Sequence, residues 1–297
     1  MSPHEMNVLM VTGDRRFGPG HSRYEMQKSA VGRLDVLFWG KGSVCPRLPD
    51  EAYDVVTSQD PFLRGLFSWY AARRFKARLN VQVHADLSVQ TWWKRALARL
   101  VLRRADSVRV VSERGKKQVL CLAPRAQVAV LPVYVDLERF RALSRAPEHN
   151  LVLWVGRFEP EKDPLAALDV VRQVPGARLV MLGAGSLEQT LKEQAKGMDV
   201  TFPGWKDIAD YVSMASVVLC TSRAESWGAS IIEALAAGVP VVSLDVGIAR
   251  EAGAIVVPRE NLARALADVL ETNPQGALTV PILSKDDWVR AWVASFA

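Results

Sequence analysis

Short runs of β-branched and aliphatic residues alternate with amphipathic helical patterns from one end of this 297-residue chain to the other, and few folds accommodate that alternation. Successive strands joined through helices must run parallel, because the crossover returns the chain to the same edge, and the helices then cover both faces of the sheet. The pattern predicts strands near 7–12, 34–39, 53–58, 80–84, 107–111 and 128–131 in the first half. In the second half it predicts them near 151–155, 178–182, 199–202, 217–220, 239–244 and 255–257. Each half reads as a Rossmann-like unit, so the fold class is α/β. Residues 143–150 are polar, carry Pro147 and lack periodicity, which marks them as the linker between domains 1–145 and 146–297. A last helix near 286–297 carries Trp288, Trp292, Val293 and Phe296 at helical spacing and suits either an ordinary closing helix or one that returns to the first domain.

With 49% hydrophobic and 24% charged residues the chain can bury two cores. No apolar run reaches the ~18 residues that a membrane span needs, and no apolar signal segment opens the chain, so a cytoplasmic protein is expected. Cys45, Cys121 and Cys220 are far apart, without metal or redox spacing, and read as buried thiols. The net charge of +6 conceals an asymmetry: residues 1–150 hold 25 Lys/Arg against 14 Asp/Glu, whereas 151–297 hold 13 against 18. Between 61 and 104 ten basic residues face one acid, Asp86, which implies an anionic surface or acceptor for the first half.

The second half carries the chemistry. Glu225 and Glu233 bracket Ser226-Trp227-Gly228-Ala229-Ser230-Ile231-Ile232, a glycine turn running into a short helix that Ser230 can cap and Gly238 with Pro240 can end. Backbone N–H groups at such a helix start attract a diphosphate, and carboxylates accept hydrogen bonds from sugar hydroxyls, so a sugar nucleotide suits the segment. Gly156-Arg157-Phe158-Glu159-Pro160-Glu161-Lys162 leaves a strand and delivers two cations that can neutralise a leaving diphosphate without a metal. Gly183-Ala184-Gly185 and Phe202-Pro203-Gly204-Trp205 are turns after further strands, the first lacking the third glycine of a dinucleotide fingerprint. In the first half, Gly18 and Gly20 lie in a loop after the first strand. His84 ends another strand on the side where open α/β sheets bind ligands.

The Glu225–Glu233 stretch with its flanking strands resembles the Glu-x7-Glu signature of the retaining glycosyltransferases of family 4. The resemblance covers nearly the whole chain, is strongest in 151–251, and implies the GT-B architecture, two Rossmann-like domains facing across a cleft. It implies that Arg157 and Lys162 hold the departing diphosphate, Glu225 the sugar hydroxyls and Glu233 the ribose. Gly228, Ala229 and Ser230 would meet the donor, Gly183 would line the nucleotide cleft, and the turn at Gly204 and Trp205 would meet the base. From the first domain His84 would contact the transferred sugar, while the Gly18–Gly20 loop would fold over donor and acceptor. The sequence departs from the family pattern at Asp163, where glycine often follows the lysine, and at Val133-Tyr134, where Asn-Gly is usual in the hinge segment. The first half is also short for the family.

The reaction implied moves a hexosyl unit from a nucleoside diphosphate sugar to a hydroxyl of a glycan or lipid-linked acceptor, with no cofactor and no metal. A sugar-nucleotide epimerase of the same architecture is one alternative. A basic nucleic-acid-binding protein is another, although no nucleic-acid module is visible and nucleic acid is not expected as a partner. An anionic membrane on its inner face is a further candidate partner. Val89, Trp92, Trp93, Ala96, Leu97, Leu100 and Val101 repeat at helical spacing beside Arg95, Arg99 and Arg103, a pattern that serves equally for covering a sheet. Phe62, Leu63, Leu66, Phe67 and Tyr70 beside Arg73, Arg74, Lys76 and Arg78 form a second such surface.

Overall fold

The computed structural model describes residues 5–40, 42–281 and 283–297. Packing divides them into two units, one formed by residues up to 134 together with 283–297, the other by 135–282. All twelve expected strands form, with ends within two residues of the sequence reading.

The first unit runs β1 (Asn7–Thr12), α1 (Ser22–Lys28), β2 (Arg33–Phe38), β3 (Val55–Ser58), α2 (Leu63–Phe75), β4 (Arg78–Val83), α3 (Trp92–Leu102), β5 (Ser107–Val110), α4 (Glu113–Leu122) and β6 (Val128–Val130). Its sheet is wholly parallel, in the order β2-β1-β3-β4-β5-β6. Val8, Leu9, Met10 and Val11 on the central strand are all buried, as a strand covered on both faces requires. Gly65 of α2 lies where a Cβ would come 2.9 Å from both the Asp60 carbonyl and Val101 Cγ1, so the missing side chain lets α2 and α3 close up. Helix α3 buries Ala98, Val101 and Leu102. The apolar face expected of it is therefore split. Val101 is buried, Leu97 is partly buried, and Val89, Trp92, Trp93, Ala96 and Leu100 point to solvent.

The second unit runs α5 (Glu138–Arg141), β7 (Leu151–Val155), α6 (Pro164–Arg172), β8 (Arg178–Leu182), α7 (Glu188–Gln194), β9 (Val200–Gly204), α8 (Ala209–Val212), β10 (Val217–Cys220), α9 (Ala229–Ala236), β11 (Val241–Ser243), α10 (Ala249–Ala252), β12 (Ile255–Val256) and α11 (Leu262–Thr272). Its parallel sheet has the order β12-β11-β10-β7-β8-β9. Parallel pairing puts every strand's C-terminal end on one edge, and the loops carrying Arg157, Gly183, Gly204, Glu225 and Gly247 all leave from that edge.

Helix α12 (Lys285–Ala294) starts at Ser284, whose Oγ accepts from Asp287 N at 3.1 Å. It returns to the first unit, where Trp288, Trp292 and Phe296 join Val8, Met10 and Tyr24 in one core. Trp288 Nε1 donates to the Pro132 carbonyl at 2.7 Å, and Asn80 Nδ2 to that of Ser295 at 2.9 Å. The packing boundary at Tyr134 precedes the 143–150 segment read as the linker. That segment is tied to the second unit, with Ala146 N donating to Ser213 O at 3.0 Å and Glu148 N to Met214 O at 2.8 Å. Of the cysteines only Cys220 is buried; Cys45 and Cys121 are exposed, contrary to the expectation of three buried thiols. Among the described residues no helix is long and apolar enough to cross a membrane.

Candidate functional site

At the C-terminal edge of the second sheet the loops after β7 and β8 lie backbone to backbone. Gly183 has φ +150°, and a Cβ there would stand 1.8 Å from the Gly156 carbonyl oxygen; a Cβ on Gly185 would stand 2.5 Å from that of Phe158. Only glycine permits this approach. Gly156 N donates to Leu182 O at 3.0 Å and Phe158 N to Ala184 O at 2.9 Å, while the Phe158 ring is fully buried beneath. Ser186 adds two bonds to the Glu159 carboxylate, from its N at 3.0 Å and its Oγ at 2.7 Å. The glycine turn thus holds the loop that bears Arg157 and Lys162.

That loop is bound equally firmly to the one after β10. Lys162 Nζ pairs with Glu225 Oε1, and Ser222 Oγ donates to the same oxygen at 2.8 Å. Thr221 Oγ1 accepts from Trp154 Nε1 at 2.9 Å and donates to Asp163 O at 2.8 Å. Asp163, where the sequence departs from the family pattern, adopts a left-handed backbone at φ 47°, ψ 55°, the conformation glycine would supply. Its carboxylate is only 8% exposed and accepts from Arg223 Nε at 2.9 Å and Arg259 at 2.6 Å. Burial opposes ionisation there, but the two guanidinium groups prevail and hold this carboxyl below its ordinary value. The departure thus leaves a glycine-like loop and adds a clamp joining the loops after β7, β10 and β12. Arg157, by contrast, is exposed and pairs with Glu161 at 2.7 Å.

Helix α9 opens at Ala229 with Gly228 before it, in a left-handed conformation at φ 93°, and no side chain caps it. Ser230 is therefore not the cap but sits in the first turn, and the helix start remains open to an anion. Gly247 sits close behind: a Cβ on it would lie 2.5 Å from Trp227 O and 3.1 Å from Glu225 Cβ. The carboxylate of Glu233, one turn into α9, has no hydrogen bond or ion pair among the described residues. Burial pushes its carboxyl up to about 7, Asp207 adds to the rise, and Arg139, itself paired with Asp207 at 2.7 Å, opposes it. Gly204 is left-handed at φ 78° with open space where a side chain would be, and Trp205 beside it is exposed rather than packed.

The remaining candidates belong to the first unit. Gly18 and Gly20 have open space around them; Gly20 N donates to Glu25 Oε1 at 2.8 Å, and Phe17 is buried against Tyr24 and His21. His84 Nε2 lies 3.3 Å from Gln82 Oε1, which also accepts from Arg109 at 2.7 Å. Burial first, then Arg109 and Arg23, push the imidazole down to about 3, so it is neutral. Tyr134, in the hinge segment, meets the Trp288 ring edge-on. The sequence reading missed Ser222, Thr221, Arg223, Arg259, Gln82 and Arg109. Ser222 and Arg223 precede Glu225 within one loop and were within reach of it, whereas Arg259 carried no signal. Among the described residues no cluster of three or more His, Cys, Asp or Glu side chains is placed to hold a metal ion.

A sequence profile of the glycosyl transferases group 1 matches residues 149–272, and one of the glycosyl transferase 4-like domain matches residues 9–133. The chain is similar to the D-inositol 3-phosphate glycosyltransferase of Mycobacterium marinum, 30% identical over an alignment of 232 positions that covers 66% of this chain and 49% of that protein. It resembles the protein of that name from Mycobacterium tuberculosis at 29% identity over 66% of this chain and 48% of that protein. It therefore spans about half the length of the curated relatives it matches. Among solved structures it is similar to Anabaena HepE in complex with UDP and glucose, with TM-score 0.75, 16% identity, 98% of this chain and 96% of that one. Sucrose-phosphate synthase from Thermosynechococcus elongatus gives TM-score 0.75, 17% identity, 98% and 95%. At these identities the likeness is one of fold, and the fold is GT-B, built from two parallel α/β domains.

Proposed function

We propose, for a chain made of a glycosyl transferase 4-like domain followed by a glycosyl transferases group 1 domain, the retaining transfer of a hexosyl unit from a nucleoside diphosphate sugar to an acceptor hydroxyl. The observation that carries this reading is the Lys162–Glu225 pair beside Ser222, a cation for phosphate and a carboxylate for sugar hydroxyls held together by loops that the Asp163 clamp joins. A donor entering this edge of the sheet meets Arg157 and Lys162 at its diphosphate, the backbone of Gly228, Ala229 and Ser230 at the start of α9, and Glu233 at its ribose. Arg157 exchanges Glu161, and Lys162 shares Glu225, for phosphate oxygens, charge-assisted contacts that strengthen as the diphosphate leaves. Gly204 and the exposed Trp205 meet the base. The UDP and glucose bound by Anabaena HepE and the names of the mycobacterial relatives support this donor chemistry.

Glu225, already engaged by Lys162 and Ser222, positions the sugar. Retention then follows a front-face path in which the departing phosphate takes the acceptor proton. The acceptor is a glycan or a lipid-linked glycan, and the two cations with the open helix start serve where a metal otherwise would. Incubation with a panel of sugar nucleotides and acceptors, read by mass spectrometry and by NMR of the new anomeric centre, tests the reading. A glycosylated acceptor of unchanged anomeric configuration is expected. Inversion would refute the stereochemistry, and donor consumed with no acceptor would indicate an epimerase.

A further inference from the structure

The split face of α3 leaves an aromatic and basic surface on the first unit that its core does not use. Ala98, Val101 and Leu102 already cover the sheet, so nothing in the packing of the unit requires Trp92 and Trp93 on the first turn. Trp92 is 82% exposed and Trp93 46%. Trp92, Ala96 and Leu100 follow one another at a spacing of four residues, and Arg95, Arg99 and Arg103 do the same beside them; all six are exposed. Residues four apart are neighbours on a helix, so an apolar row lies along a cationic one.

Helix α2 extends the surface. It packs on α3, with Phe62 and Trp69 on the side toward it. Lys94 lies 5.7 Å from the centres of both the Phe62 and Trp93 rings, and Arg104 lies 4.8 Å from that of Trp69. Neither helix contains an acid. The one acid between 61 and 104, Asp86, is occupied: its carboxylate accepts from Ser88 Oγ at 2.5 Å and Gln118 Nε2 at 2.7 Å.

From this we infer that α3, with α2 beside it, docks the protein on an anionic lipid bilayer. Indole rings settle at the level of the headgroups, where one side is apolar and the other wet, and arginines flanking them meet lipid phosphates. At 11 residues α3 is about 16 Å long, which suits a helix lying in the membrane plane rather than crossing it. The charge complementarity singles out anionic lipid. The inference uses the proposed transfer only for its purpose, to bring the site to a lipid-linked acceptor; the docking itself needs neither donor nor acceptor.

The test is co-sedimentation of the full chain with phosphatidylcholine vesicles, with and without phosphatidylglycerol, across a salt series. Binding is expected only with phosphatidylglycerol and weakens as salt rises. Arg95→Glu, Arg99→Glu and Arg103→Glu should each lower the partition coefficient by at least roughly fivefold, and Trp92→Ala with Trp93→Ala should lower it by about tenfold while leaving the salt dependence unchanged. Both sets lie on the surface, so thermal midpoints should match the wild type; if the double variant loses stability, Trp92→Ala alone decides. Equal binding to both vesicles, binding to neither, or wild-type binding by the Trp92 variant would overturn the inference. Calorimetric titration of the wild type and of each variant with UDP keeps the two readings apart. In the variants, weakened vesicle binding with UDP still bound is the expected result; in the wild type, no vesicle binding with UDP still bound defeats the docking alone, and no UDP binding with vesicles still bound defeats the donor site alone.

Discussion

Replacing Glu233 by glutamine separates the stability of the second domain from its binding function. The carboxyl is pushed from its ordinary 4.5 to about 7 by burial. In the unfolded chain it loses its proton near 4.5, and in the folded domain near 7. Below the first value both states are protonated and the group is neutral toward folding. Between the two, the folded state holds the extra proton, so stability falls as pH rises; above the second, the loss is complete. The interval corresponds to about 3 kcal/mol. Glu233→Gln removes that penalty, so the variant should match the wild type near the ordinary carboxyl value and exceed it by up to about 3 kcal/mol above neutrality. Donor affinity should move the other way. Losing the proposed charge-assisted bond to ribose would cost about 1.5–3 kcal/mol, so the variant should bind donor roughly ten- to a hundredfold more weakly. Wild-type affinity should rise as pH passes through about 7, because binding favours the ionised form. Denaturant unfolding across the pH range, with calorimetric titration of the donor, measures both. A stability difference independent of pH would refute the reasoning even if donor binding weakened as expected.

Asp163→Gly keeps the left-handed backbone but removes both guanidinium contacts; because those arginines are largely exposed, the domain should lose only about 1–2 kcal/mol. Asp163→Asn should retain part of it, and since the carboxyl is held below its ordinary 3.8, the stabilisation should be present above that pH and vanish as acid protonates the folded protein; an equal loss at low and neutral pH would contradict the clamp. Arg157→Ala and Lys162→Ala should each lower turnover at least about tenfold, checked in steady-state assays with circular dichroism as the folding control. Unchanged donor affinity and turnover in both would remove them from the site. Transfer should persist in EDTA, since the proposed donor site offers the diphosphate two cations and an open helix start; loss on chelation restored by magnesium would overturn that.

The twelve strands were legible because a parallel sheet buried on both faces needs nearly continuous apolar runs, and β1, β7 and β10 are such runs. The Glu225–Glu233 segment was legible because its turn, helix and stop are encoded within a few residues. Local signals misplaced other features. Ser230 suits a cap by type, but Gly228 reaches the left-handed conformation first and takes the cap position two residues earlier. The 143–150 segment looks like a linker, yet its backbone pairs with 213 and 214. The apolar residues of α3 obey helical spacing, but spacing cannot say which of two apolar rows meets the sheet.

By itself, then, the sequence determined the order of strands and helices, the parallel sheets, and which loops carry cations and carboxylates, because those follow from periodicity and residue type over short spans. Only the tertiary structure decided that Gly183 must be glycine because the Gly156 carbonyl occupies its side-chain space, and that Asp163 meets arginines 60 and 96 positions away. It alone left Trp92 in water and the Glu233 carboxyl half-buried with no direct ion pair. Each of these depends on which atoms other elements bring within a few ångströms, and no local pattern encodes that distance.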